Sequence, residues 1–243
     1  MDIVKIGGSL LTNKSRYRSF QSAKTDEILK NVINLDNFVL VHGGGSFGHF
    51  ISKKFGLPGS STKERMMAAS IVKRDMAELN QKIVTKLQKL KLNPIGISPF
   101  FLGQPEHMDM SIITNSIREG FLPVIYGDIS ISNSFIDIVS GDTIMMTLAR
   151  ELKPKRAIFI TDVDGVFTKD PKRNKHAKLI EKYGGEKVEF GSVKKDVTGG
   201  MNLKFKAMIT CKKYGAKTYL MNGNHPDRLN EIGKSGFRGT EFV

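Results

Sequence analysis

The chain of 243 residues has a single cysteine, Cys211, which excludes an internal disulfide and points to a reducing compartment. It has no apolar run near the ~18 residues that a membrane-spanning helix needs. Its first residues, Met1-Asp2-Ile3-Val4-Lys5, lack the apolar core of a signal peptide. The expectation is a soluble, cytoplasmic protein without membrane attachment. Internal repeats, low-complexity tracts and linkers rich in proline, glycine or serine are also absent, which argues against separate modules. Acidic residues are scarce, with 24 Asp and Glu against 38 Lys and Arg. The resulting net charge of +14 suits an anionic partner: nucleic acid, a membrane surface or a phosphorylated small molecule. Charge alone does not choose among these, and a solvated basic face accounts for it equally well. Basic residues cluster mildly at 153–156, 169–178 and 194–195.

What is present is an alternation of short apolar runs and helical stretches. Ile3–Ile6, Phe38–Val41, Pro94–Ile97, Leu122–Tyr126, Ala157–Ile160, Thr218–Met221 and Thr240–Phe242 read as strands. Helices are expected over about 25–33, 62–90, 141–152 and 200–214. In the longest, Met66, Ala69, Val72, Met76 and Leu79 share one face at spacings of three and four. Ile129–Val139 alternates apolar and polar residues about Ser132-Asn133-Ser134, the pattern of an antiparallel hairpin. Strands alternating with helices predict an α/β fold with a mostly parallel sheet covered on both faces.

Glycine-rich turns follow the strands: Gly7-Gly8-Ser9, Gly43-Gly44-Gly45-Ser46 and, after the hairpin, Gly141-Asp142. Ligands of such sheets gather at the carboxyl ends of strands. Glycine lets backbone N–H groups approach an anion, and a following helix N-terminus adds partial positive charge. None of these turns is a familiar nucleotide loop. Gly7 to Lys14 lacks the Gly-Lys-Ser/Thr ending of a Walker A loop. Gly43 to Gly48 has G-x-G-x-x-G spacing, but no acidic residue ends a strand ~20 positions later, as a dinucleotide site requires. Lys5, inside an apolar strand, either snorkels or aims its ammonium at a phosphate. Lys14 could supply a second point charge, and His49 a hydrogen bond to phosphate. Asp162-Val163-Asp164-Gly165 imitates the haloacid dehalogenase signature but lies at the wrong end of the chain. An EF-hand fails because its twelfth position is Arg173.

Taken together, Lys5-Ile6-Gly7-Gly8-Ser9, His42-Gly43-Gly44-Gly45-Ser46, Ser140-Gly141-Asp142, Thr161 to Val166, and Asp196 to Met201 with Lys204 resemble the amino acid kinase superfamily. Within it, Gly44-Gly45-Ser46-Phe47-Gly48-His49 and Asn222-Gly223-Asn224-His225-Pro226 are similar to the isopentenyl phosphate kinases. Fosfomycin kinases share the histidine segment and stand as the alternative. A non-catalytic basic protein that binds nucleic acid or regulates is the alternative from another class, although nucleic acid is not the expected partner.

The resemblance implies a three-layer αβα sandwich with a β-hairpin near the acceptor site. It would be one domain, with residues 1–150 holding the acceptor phosphate and 151–243 the nucleotide. It implies ATP and Mg²⁺, a phosphorylated small-molecule acceptor and a homodimer. By motif, Lys5, Lys14 and His49 are the catalytic candidates. Lys5, Gly7, Gly8, Ser9, Gly45, Asp162, Asp164, Gly165, Val166, Gly200 and Lys204 would face ATP. Gly44, His49 and Gly141 would hold the acceptor phosphate, with Ala69 and Val72 beside its apolar tail. No metal ligands are assigned.

Overall fold

The computed structural model describes residues 1–169, 174–185, 188 and 200–243. The chain opens with β1 (Asp2–Ile6), α1 (Gly8–Leu11), α2 (Ser22–Val32), β2 (Phe38–His42), α3 (Gly45–Phe55) and β3 (Gly59–Ser60). Then come α4 (Lys63–Lys89), β4 (Pro94–Ile97), α5 (Ser111–Arg118), β5 (Leu122–Tyr126), β6 (Asp128–Ser132) and β7 (Phe135–Val139). The remainder is α6 (Gly141–Leu152), β8 (Arg156–Thr161), β9 (Val166–Phe167), β10 (Leu179–Ile180), β11 (Lys182–Tyr183), α7 (Gly200–Lys213), β12 (Lys217–Asn222) and β13 (Thr240–Phe242).

Eight strands form the main sheet in the order β11-β13-β12-β8-β1-β2-β5-β4. Every pairing in it is parallel except β12 with β13. Strands buried on both faces read as continuous apolar runs, which is why β1, β2 and β8 show no polar alternation. Their side chains nonetheless divide by parity. Val4, Ile6, Leu40, Ile158 and Ile160 enter one core, shared with α2, α3 and α4. Ile3, Val39, Val41, Ala157 and Phe159 enter the other, shared with α5, α6 and α7. The α/β sandwich expected from the alternation is therefore what the chain adopts.

The hairpin also forms as expected. β6 and β7 pair antiparallel from Asp128↔Val139 to Ser132↔Phe135, and β3 adds a third strand. Asn133 and Ser134 both take positive φ, 46° and 57°, as a two-residue turn of this hand requires. In α4, Thr62 caps the start by accepting from the Arg65 amide at 3.3 Å. Ala69, Val72, Met76 and Leu79 are buried on it as expected. Met66 is not: it is 53% exposed, because burial along α4 begins only at Ala68.

β1 sits at the centre, with β2 on one side and β8 on the other. The chain winds one way from β1 to β2 and the other way from β8 to β12. Their carboxyl ends therefore meet at the point where strand order reverses, the place such sheets use for ligands.

Candidate active site

The parity of β1 decides where Lys5 points. It shares a face with Ile3, so it enters the layer of α6, and its Nζ meets Asp142 Oδ1 at 2.5 Å. Both side chains are almost fully buried. Burial pushes the Lys5 ammonium below its ordinary range; Asp142 opposes that shift and Lys204 adds to it. Gly141 makes room for this lysine, since a Cβ there would lie 3.0 Å from Lys5 Cε. The sequence marks Lys5 and Gly141 but not Asp142, which anchors the ammonium from the second position of α6.

Two further lysines converge on the same strand ends. Lys204, on α7, donates to Thr161 Oγ1 at 3.4 Å. Lys14 lies 3.9 Å from Asp162 Oδ2, with its side chain largely exposed. Burial raises the Asp162 carboxyl. Lys14, its own backbone N–H, the Ser9 hydroxyl and Lys204 outweigh that and hold it below its ordinary range. Lys5, Lys14 and Lys204 thus form a basic arc around the ends of β1 and β8.

The glycine turns after β1 and β2 lie against each other with no side chain between them. A Cβ on Gly8 would sit 2.2 Å from Gly45 N, and one on Gly43 would sit 2.8 Å from Gly8 N. Gly45 has φ +48°, and a Cβ there would fall 1.9 Å from Thr12 Oγ1. Thr12 locks the contact by donating to Gly8 O at 2.8 Å and accepting from Ser46 N at 2.8 Å. Gly44 and Gly48 face Met76, with Sδ at 2.8 and 3.2 Å from their virtual Cβ positions. His49, half-buried, is the fifth residue of α3, one position beyond its first turn.

Below this wall, His42 is fully buried at the end of β2. Asn80 Nδ2 lies 3.2 Å from its Nε2 and also donates to Val124 O, so Nε2 is the acceptor. Nδ1–H then points to Gly43 O at 3.2 Å. Burial pushes the imidazole down to about 4, so it is neutral near pH 7.

On the other side of β1, the turn from Asp162 to Val166 is held by side chains. Asp164 accepts from Arg228 Nη1 at 2.6 Å and from Asn222 Nδ2 at 3.2 Å. The Arg228 bond lowers the Asp164 carboxyl, and burial opposes it. Asp164, expected at the nucleotide, therefore spends its carboxylate on bracing the turn. Val166 N donates to Thr240 Oγ1 at 2.8 Å, and a Cβ on Gly165 would meet that same oxygen at 2.5 Å. Gly200 opens α7, whereas residues 196–199 of the motif expected before it lie outside the described residues. Ala69 and Val72 are buried along α4, beside the Met76 that underlies Gly44.

Asp142, Thr12, Asn80 and Arg228 are the members that sequence reasoning missed. Each has a partner distant in sequence, Lys5, Ser46, His42 and Asp164 respectively, which adjacent residues do not reveal. Among the described residues, no group of three or more His, Cys, Asp or Glu converges to hold a metal. Asp162 is the carboxylate at the edge of the lysine arc.

Known proteins resemble this chain over its whole length. Residues 2–222 match the model of the amino acid kinase family. The isopentenyl phosphate kinase of Thermoplasma acidophilum is 41% identical over 245 residues, 99% of each chain. That of Methanocaldococcus jannaschii is 31% identical, over 100% of this chain and 98% of its own. The crystal structure of the T. acidophilum isopentenyl phosphate kinase product complex superposes with a TM-score of 0.90 at 38% identity, covering 100% of both chains.

Proposed function

The chain belongs to the amino acid kinase family, and from that premise we propose that it transfers the γ-phosphoryl group of ATP to isopentenyl phosphate, giving isopentenyl diphosphate and ADP. The observation that carries the reading is the arc of Lys5, Lys14 and Lys204 at the switch point, with the glycine wall and His49 beside it. Full-length similarity to two isopentenyl phosphate kinases supports the acceptor. Such an enzyme serves an archaeal-type mevalonate route to isoprenoids.

A phosphate monoester has its second pKa near 6, so the acceptor is mostly dianionic at neutral pH. Its oxygen attacks the γ-phosphorus in line, the bond from phosphorus to the bridging oxygen breaks, and ADP leaves with that electron pair. No general base is needed, because no proton has to be removed. The obstacle is repulsion between two polyanions, which fixed positive charge relieves. Lys14, largely exposed beside Asp162, would meet the transferring group. Lys5, clamped by Asp142, would present a fixed charge to the ATP phosphates, with Gly7 to Ser9 and Gly45 offering backbone N–H groups. Lys204 and Gly200 would close over ATP, and Asp162 with the turn from Asp164 to Val166 would border the nucleotide. Gly44, His49 and Gly141 would hold the acceptor phosphate. Mg²⁺ would neutralise charge on the ATP phosphates; Asp142 and Asp164 are engaged by Lys5 and Arg228, so Asp162 is the carboxylate of these three that would be left to it.

In this reading, residues 1–150 serve the acceptor and 151–243 the nucleotide. The buried face of α4 at Ala69 and Val72 would border the isoprenoid tail, and the small Ala69 would leave space for tails beyond five carbons. A homodimer in the cytoplasm is the assembly we infer from the family resemblance.

The test is ADP release with ATP and a panel of isopentenyl phosphate, dimethylallyl phosphate, geranyl phosphate, fosfomycin and UMP. Turnover of isopentenyl phosphate is expected; turnover of fosfomycin or UMP alone would overturn the proposal. His49→Ala should lower turnover of isopentenyl phosphate by about 10²-fold while ATP still binds. Undiminished turnover in that variant would remove His49 from the acceptor site.

A further inference from the structure

The segment joining α1 to α2 carries Lys14, and it is tied down by residues that the reading above leaves unused. Its base is pinched: Thr12 and Phe20 form an isolated antiparallel bridge, and Asn13 N donates to Ser19 O at 2.9 Å. Asn13 Oδ1 accepts from the Ser15 amide at 3.0 Å and from its hydroxyl at 2.8 Å, which shapes the turn through Lys14. Arg18 sits at φ +53°, an uncommon conformation for a residue with a side chain.

The far side of this loop lands on Asp75, a carboxylate on α4 with no exposed surface. Buried carboxylates occur where donors surround them, and here the loop and α4 both supply them, the loop alone serving Oδ2. The Tyr17 hydroxyl donates to Asp75 Oδ2, and Arg18 Nε lies 3.7 Å from Oδ1. Arg74 donates to Oδ1 through Nε at 3.0 Å and Nη2 at 2.7 Å. Arg18 also pairs with Glu78, one turn further along α4. Burial and then the bond to Asp75 push the Tyr17 phenol up, so it remains a donor at neutral pH.

Tyr17 makes a second contact. Its ring lies against Phe50 with centroids 5.4 Å apart, and Phe50 follows His49 on α3. One side chain therefore connects the Lys14 loop to the helix of His49 and to α4.

We propose that Asp75 and Tyr17 are positioning residues for Lys14, holding its loop so that the ammonium stays beside the ends of β1 and β8 during transfer. The proposal rests on the reading that Lys14 serves the transferring phosphoryl group. Without the clamp, Lys14 would keep its charge but sample positions away from the line of transfer. A misplacement of this kind lowers kcat more than KM.

The experiment is a double-mutant cycle. Asp75→Asn and Tyr17→Phe are each made alone and together with Lys14→Ala, and kcat, KM for ATP, KM for isopentenyl phosphate and melting temperature are measured. Tyr17→Phe keeps the ring on Phe50 and loses only the hydroxyl, so it decides the question if Asp75→Asn fails to fold. With Lys14 present, each variant should lower kcat by about tenfold and change both KM values by less than about threefold. With Lys14→Ala, the same substitutions should cost less than about twofold, because the group they position is gone. An unchanged kcat with Lys14 present, an equal loss in both backgrounds, or a loss confined to KM would overturn the proposal. If Lys14→Ala alone equals the wild type, the role of Lys14 fails and the clamp proposal falls with it. If Lys14→Ala is crippled and Tyr17→Phe is not, the clamp alone fails.

Discussion

The two sides of β1 are built by opposite means. Toward β2, the turn after β1 lies against the turn after β2 backbone to backbone, with Gly8 against Gly43 and Gly45. Toward β8 and β12, the turn from Asp162 to Val166 is braced by side chains, through Asp164 with Arg228 and Asn222, and Thr240 with Val166. A backbone wall yields little, because main-chain atoms have no rotamers to change and Thr12, the side chain that meets it, is held by two hydrogen bonds. A side-chain brace can shift by a few tenths of an ångström. The contrast suits the proposed roles: phosphates held at the wall need fixed positions for in-line transfer, whereas the body of a nucleotide must enter and leave.

Substitutions can break that contrast, and the largest effect is expected at Gly45. Gly45→Ala places a Cβ into Thr12 and Gly8 at positive φ, which should cost about 3 kcal/mol or more and abolish ADP release. Urea unfolding and the coupled assay would check it, and a stable, active variant would mean the wall yields after all.

Acid should also strike this side. His42 is held neutral in the fold, pushed down to about 4, whereas an unfolded histidine titrates near 6.5. Between those values the unfolded chain binds the extra proton, so stability falls as pH drops through that window. The contribution of this one group is about 2 kcal/mol less at pH 5 than at pH 7. Protonation would also turn a donor from Nε2 toward the Asn80 amide. Denaturant midpoints at the two pH values, with His42→Gln as the control, measure it. An equal loss in that variant would assign the effect elsewhere.

On the braced side the effects should be smaller and should fall on ATP. Arg228→Gln releases Asp164 and should raise KM for ATP by about tenfold, with KM for isopentenyl phosphate within about twofold. Initial-rate kinetics in both substrates would show whether the selectivity holds. Gly165→Ala is expected to be the mildest, at about 1 kcal/mol of stability, because its Cβ would meet the side chains of Thr240 and Leu179 at 2.5 and 2.7 Å. Should it match Gly45→Ala, the distinction between the two sides disappears.

Much of this fold could be read from the chain alone, because strands buried on both faces announce themselves as short apolar runs ending in glycine. The hairpin was equally plain, since β6 and β7 alternate about Ser132-Asn133-Ser134. α5 was invisible: eight residues, Ser111–Arg118, are too few to establish a period. The two-residue strands β9, β10 and β11 exist only through their partners, and the antiparallel direction of β13 leaves no mark on Thr240–Phe242. In the site, Lys5, Lys14 and the glycine turns were legible because each lies in a contiguous motif. The ion pairs were not. The motif marks Asp164, but its brace to Arg228 spans 64 positions. The motif marks Lys5, but its clamp to Asp142 depends on strand parity and on the packing of α6. Met66 belongs to the apolar face of α4 by spacing, yet only the tertiary edge exposes it.

The contact between Gly8 and Gly45 has a consequence for how the catalyst can diversify. With Gly45 toward ATP and Gly44 toward the acceptor, adjacent backbone positions would hold both phosphates, so the distance a phosphoryl group crosses would be set by main-chain geometry. Side chains along α4 could be exchanged to admit other tails without changing that distance. Substrate range and transfer distance would then be separately adjustable, the first by ordinary substitution, the second hardly at all.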